Sequence, residues 1–148
     1  MSRPVFDMNV FIEYKKLITD YQFSKMALSA VVLYELTATT IDKSEWQKYT
    51  FWRKSFTKDG LYLVPNSDDW WEASKIASRI RHGEKSQAKG KTPKNPQTQK
   101  LQNDILIARS AFARKFFVVT SNLADFQKIQ QFLNVEIVSA DEYFSAET

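Results

Sequence analysis

Cysteine is absent from this 148-residue chain, and histidine occurs only once, as His82. Without cysteine there are no disulfide bonds, no cysteine zinc sites and no thiol catalysis. A single histidine also excludes a histidine-rich metal site, so any bound metal must have oxygen ligands. Oxygen ligands suit Mg²⁺, Ca²⁺ or Mn²⁺.

Long apolar runs are missing as well. The N-terminal sequence MSRPVFDMNVF lacks the apolar stretch of a signal peptide, and no run approaches the length of a membrane span. We therefore expect a cytoplasmic protein without a membrane partner. The length and the hydrophobic content of 43% fit one folded domain, which we place at residues 1–148.

The positive charge is local. The net charge is +4, but residues 81–100 hold six basic side chains against one acid, a charge of +5 that leaves −1 for the rest of the chain. A local basic patch favours an anionic partner such as nucleic acid. The alternative interpretation of residues 81–100 is a solvated loop that binds no partner.

Hydrophobic spacing predicts strands that alternate with helices. We expect strands near residues 3–8, 25–28, 61–65, 116–120 and 135–139, with helices between them and a closing helix from residue 140. Ser29 and Ser44 are candidate N-caps, and Gly60 and Gly83 are candidate helix ends. This alternation predicts an α/β fold with a parallel sheet covered by helices.

Two acids lie in unusual positions in the first half of the chain. Asp7 follows Val5 and Phe6 at the end of the first predicted strand, the edge where ligands gather in parallel sheets. Glu35 lies in VVLYEL, on a helix face that it shares with apolar residues. An ordinary helix cap for Asp7 and an edge position for Glu35 are the simpler alternatives.

Two more acids follow in the second half. Asp104 borders the apolar stripe of its helix, where a salt bridge is the alternative explanation. Asp125 comes just after the apolar strand FFVVT, where a helix-capping arrangement with Asn122 is the alternative. Crowded carboxylates repel one another, and a divalent cation removes that cost. Together, the four acids indicate a metal site.

The segments that contain these acids resemble the PIN-domain nucleases. They are VFDMNVFI, LSAVVLYELTA, QNDILIARSA and VVTSNLADF, and the last is similar to the pattern T-x-N-x-x-D-F of that family. The resemblance spans nearly the whole chain, and VapC-type toxins of toxin–antitoxin pairs are the most similar. Two departures are Met8, where the family more often has a small polar residue, and a longer loop before Asp104.

The resemblance implies a three-layer α/β/α sandwich with a central, mainly parallel sheet. It also implies that Asp7, Glu35, Asp104 and Asp125 line one acidic pocket and bind Mg²⁺ or Mn²⁺ for catalysis. Asn9 would order the loop of the first acid, and Thr120 and Asn122 would orient the fourth acid and a bound water.

The function implied is a metal-dependent endoribonuclease that leaves 5′-phosphate and 3′-hydroxyl ends. Expected partners are RNA, a small antitoxin and a second copy of the chain, because 11 Phe and 4 Trp exceed what a small core needs. The candidate RNA-backbone contacts are Lys85, Lys89, Lys91 and Lys94. The alternatives are a PIN nuclease of RNA processing without an antitoxin and a catalytically idle, PIN-like RNA-binding module.

Overall fold

The computed structural model describes residues 2–87 and 98–147. In these ranges the strands are β1 (Pro4–Phe6), β2 (Leu28–Ser29), β3 (Tyr62–Leu63), β4 (Phe117–Thr120) and β5 (Ile137–Ser139). The α-helices are α1 (Met8–Glu13), α2 (Asp20–Lys25), α3 (Ala30–Ala38), α4 (Lys43–Lys58), α5 (Ser67–Gln87), α6 (Thr98–Ala113), α7 (Leu123–Gln130) and α8 (Ala140–Glu147). A short 3₁₀ helix, Lys15–Leu17, follows α1.

Every strand pairing in the described ranges is parallel. Strand β4 lies between β1 and β5, and β2 pairs with β3. A single parallel bridge between Val5 and Ala27 joins the two groups of strands. Parallel strands end at the same edge of a sheet, so the loops after β1 and β4 lie side by side. This mainly parallel sheet flanked by helices confirms the expected α/β fold.

The middle of the sheet is completely buried. Val5, Val118 and Val119 have no exposed surface, as expected for strands covered on both faces. Helix α6 is buried to a similar degree, since Ile105 and Ala108 are also inaccessible to solvent. Burial of each large aliphatic side chain contributes about 1.5–3 kcal/mol. The same packing places any polar residue on the inner face of α6 in an apolar environment.

Helices α5 and α6 are joined by a buried ion pair. Arg109 Nε lies 3.0 Å from Asp69 Oδ1. Asp69 also accepts a hydrogen bond from the backbone N–H of Asn66 and donates its own N–H to the Asn66 side chain, which forms a reciprocal cap at the start of α5. This ion pair links α6 to the first turn of α5.

Several local predictions are confirmed and others are wrong. Ser29 caps α3, accepting hydrogen bonds from Val31 and Val32, and Gly60 follows α4 with a φ of 71°. Residues 25–28 were expected to form a strand, but helix α2 extends through Lys25 and the strand begins at Leu28.

Two of the predicted helix boundaries are wrong. Helix α4 is capped by Asp42, whose carboxylate accepts the N–H of Ser44, because this carboxylate two residues earlier takes the capping position from Ser44. Helix α5 continues past Gly83, where we expected it to end, and reaches Gln87.

None of the helices in the two described ranges is both long and apolar enough to cross a bilayer.

We predict that Asp42→Ala lowers the free energy of unfolding by about 1 kcal/mol, because it removes the cap of α4. Ser44→Ala should cost less, since its hydroxyl only donates to the Asp42 carboxylate, 3.0 Å away. Urea unfolding of the two variants measures the difference. A larger loss for Ser44→Ala would contradict the capping arrangement.

Candidate active site

Asp7 lies where β1 gives way to α1. Its backbone N–H donates to the carbonyl of Val119 at 3.0 Å, which extends the pairing of β1 with β4 by one residue. Its side chain caps α1, with Oδ1 accepting the N–H of Met8 at 2.7 Å, while Oδ2 accepts the hydroxyl of Thr120 at 3.0 Å. Asp7 is therefore a helix cap, as in the simpler alternative, but only Oδ1 makes the cap, and Oδ2 bonds to Thr120 instead.

Asp125 is held by the loop after β4. The Asn122 amide donates to Asp125 Oδ2 at 2.7 Å, and the Asn122 backbone N–H donates to the Thr120 hydroxyl at 2.9 Å. The side chain of Asn122 makes no capping hydrogen bond to α7. The Asn122 side chain therefore bonds to the fourth acid, whereas the hydroxyl of Thr120 bonds to the first acid, Asp7.

Glu35 reaches the site from α3 and contacts α6. Asn103 donates its amide to Glu35 Oε2 at 3.2 Å, and Gln99 donates to Asn103 at 3.1 Å. The other oxygen, Glu35 Oε1, is buried and accepts no hydrogen bond from any described residue. A buried oxygen without a donor is costly, so a ligand, a proton or a water at this atom would lower that cost.

Asp104 is the most perturbed of the four acids. It is 3% exposed, and burial, together with the charges of Asp7, Glu35 and Asp125, raises the pKa of Asp104 from 3.8 to about 8, although Lys100 acts in the opposite direction. Burial also raises the pKa of Asp7 and the pKa of Glu35. In each case the lost hydration of the charged form is the largest cause.

The four acids therefore lie within electrostatic reach of one another. Among residues 2–87 and 98–147, however, no three acidic or histidine side chains are already arranged as a metal-binding group. The Lys100 ammonium lies among them, 3.2 Å from Asp125 Oδ2. Carboxylate oxygens, with Glu35 Oε1 unpartnered among the described residues, are the type of donor that a hard divalent cation such as Mg²⁺ or Mn²⁺ prefers.

Other residues named from the sequence have mixed outcomes. Asn9 is half-buried in the first turn of α1, and no described hydrogen bond joins its side chain to Asp7. The side chains of Lys85, Lys89, Lys91 and Lys94 lie outside the described residues, as do residues 88–97 altogether.

Sequence reasoning missed two participants, Asn103 and Lys100. Both are on α6; the four-residue spacing from Asp104 is a signal that could have identified Lys100, whereas no spacing pattern indicates the contact of Asn103 with Glu35. Lys100 was counted only as part of the basic segment.

No protein-family model matches the sequence, and no curated protein sequence matches it. Its fold is similar to that in the crystal structure of DNA-bound VapBC from Salmonella typhimurium, with 21% identity, 94% of this chain and 98% of that chain covered, and a TM-score of 0.53. The fold is also similar to the fold in the structure of FitAB bound to an IR36 DNA fragment. The identity is 17%, the match covers 92% of this chain and 94% of that chain, and the TM-score is 0.53. At these identities the shared feature is the fold, which agrees with the α/β/α architecture implied by the sequence motifs.

We predict that the metal-free protein becomes less stable as pH rises from 5 to 9. The pKa of Asp104 is about 8 in the folded chain against 3.8 ordinarily, so the folded state binds more protons in this window and its stability falls with pH. A single group contributes at most about 1.4 kcal/mol per pH unit.

Urea unfolding in EDTA at pH 5 and pH 9 measures this dependence. Asp104→Asn should flatten it, while Asp68→Asn, at an exposed position on α5, should keep the wild-type slope. An unchanged slope in Asp104→Asn would rule out Asp104 as the source.

Proposed function

We propose that this protein is a metal-dependent endoribonuclease, with Asp7, Glu35, Asp104 and Asp125 as its catalytic acids. The observation that supports this most directly is the gathering of four carboxyl groups, three with raised pKa, at the carboxyl edge of a parallel sheet. A fold gains nothing in stability from burying acids that repel one another. Such a cluster is typical of a site that holds a cation.

Hydrolysis of a phosphodiester at this site would break the bond between phosphorus and the 3′ oxygen. A water oxygen adds to phosphorus and the 3′ oxygen leaves with a proton, which gives 5′-phosphate and 3′-hydroxyl ends. A bound Mg²⁺ or Mn²⁺ would lower the pKa of that water and offset the charge that develops on phosphate. The side chains of Thr120, Asn122 and Asn103 keep three of the acids in place for this reaction.

The first test is cleavage of total cellular RNA by the purified protein. We predict cleavage with Mg²⁺ or Mn²⁺ and none in EDTA. Asp7→Asn and Asp104→Asn should reduce cleavage to the EDTA level while the proteins remain folded, because each change removes a ligand charge and keeps the side-chain shape. Undiminished cleavage by EDTA-treated protein would refute metal dependence. RNA binding without any cleavage would favour the idle binding module instead.

The hydrogen-bond partner of Glu35 offers a finer test. We predict that Asn103→Ala lowers cleavage or metal affinity by about 10–100-fold, the usual effect of losing a group that orients a metal ligand. Asn134→Ala, at an exposed position after α7, is the matched control and should behave as wild type. Equal effects of the two changes would argue against a role for Asn103.

We further propose that the protein is the toxin of a toxin–antitoxin pair and forms a homodimer. One neighbour in fold has the name VapBC, and the sequence motifs resemble the VapC type. A mainly apolar groove of about 390 Å³ is lined by residues that include Phe11, Ile12, Ile18, Leu36 and Trp52, together with the charged Lys15, Glu45 and Lys48. Large apolar side chains such as Trp70 and Trp71 are exposed elsewhere and suit contact with a second copy.

For the antitoxin, we predict that Ile12→Asp weakens binding of the protein encoded by the neighbouring short reading frame at least tenfold, equivalent to about 1.4 kcal/mol. Ile12 is 61% exposed in the groove, so the change should not unfold the chain. Ile41→Asp, at a residue that is 99% exposed and outside the groove lining, is the control. Calorimetry measures both affinities, and a neighbouring product that binds neither form would contradict the toxin assignment.

A further inference from the structure

Lys100 carries a positive charge at a position of α6 where a positive charge is unfavourable. It is the third residue of α6, in the first turn, where the helix dipole disfavours a positive charge. It also precedes Asp104 by four residues, the less favourable order for a charged pair on a helix. Local helix electrostatics therefore do not explain the direction of this side chain.

The explanation lies across the site, on α7. Lys100 Nζ is 3.2 Å from Asp125 Oδ2, the same oxygen that accepts the Asn122 amide. The ammonium also acts electrostatically on Asp7, Glu35 and Asp104, so one positive side chain is shared by all four acids. With 41% of its side chain exposed, Lys100 has room to move outward.

A divalent cation and the Lys100 ammonium cannot occupy the site together without electrostatic repulsion. To bind Asp125 Oδ2, the incoming ion must break or weaken the ion pair with Lys100. If the ammonium stayed in place, its single charge would repel the two charges of the ion at close range. The two cations therefore compete for the same carboxylates.

We propose that Lys100 is the internal counter-ion of the acid site, which competes with the divalent cation and sets the ion concentration at which the site fills. The inference rests on the metal site proposed above and adds its regulation. Lys100 stabilises the empty site by neutralising part of its charge, and for the same reason it weakens metal binding. A merely structural lysine would have the first effect without the second.

Calorimetric titration of the full chain with Mn²⁺ tests the proposal without any measurement of activity. Lys100→Met should bind Mn²⁺ about tenfold more tightly than wild type, which corresponds to about 1.4 kcal/mol. Lys100→Arg retains the charge and should stay close to wild type. Lys54→Met removes an equal charge from an exposed position on α4 and should leave the affinity unchanged.

Thermal unfolding provides the second measurement. In EDTA, Lys100→Met should melt below wild type, because four acids have lost their counter-ion. In saturating Mn²⁺ the difference in melting temperature should shrink or reverse, since Mn²⁺ binding stabilises the variant more than wild type. An equal deficit under both conditions would indicate a structural role and overturn the proposal.

The remaining outcomes separate the two proposals. If wild type binds Mn²⁺ and Lys100→Met binds it equally or less tightly, competition by Lys100 is refuted and the metal site stands. If neither protein binds Mn²⁺, the metal site itself is refuted, and the role of Lys100 falls with it.

Discussion

Parallel pairing of β1 with β4 is the interaction on which the whole site depends. Its register places Phe6 opposite Val119, so that Asp7 and Thr120 follow at the same edge and bond to each other at 3.0 Å. A slip of one residue would turn every side chain of β1 to the other face of the sheet. The completely buried valines of the two strands make such a slip costly, so the apolar core also holds the acids in position.

The acids are held by partners that come from other parts of the chain. Glu35 on α3 is bonded from α6, and Asp7 after β1 is bonded from the end of β4. Each of these hydrogen bonds offsets only part of the cost of an ionised carboxylate in an apolar setting. The result is a cluster of acids whose burial and mutual repulsion cost stability, which agrees with the cation-binding role proposed above.

The sequence predicted the parts of this structure that are encoded locally. Alternating strands and helices, the Ser29 cap and the four acids all follow from short-range patterns. The contact of Asn103 with Glu35 joins residues 68 positions apart, and no spacing rule reaches that far. Where two caps competed, the carboxylate of Asp42 caps α4 in place of the hydroxyl of Ser44, and α5 continues past Gly83 although glycine often ends a helix. The Asn103–Glu35 contact is thus a tertiary feature beyond local patterns, whereas the cap of α4 is a local choice between two candidate residues.

The separation of Asp7 from Thr120 by 113 residues has a consequence for the chain during its synthesis. A polypeptide emerges from the ribosome N-terminus first, so β1 has no β4 to pair with until residues 117–120 have been made. A nascent chain that stops before residue 117 lacks both the central strand and the fourth acid. The four acids therefore cannot meet at this edge of the sheet before residues 117–125 have been synthesised.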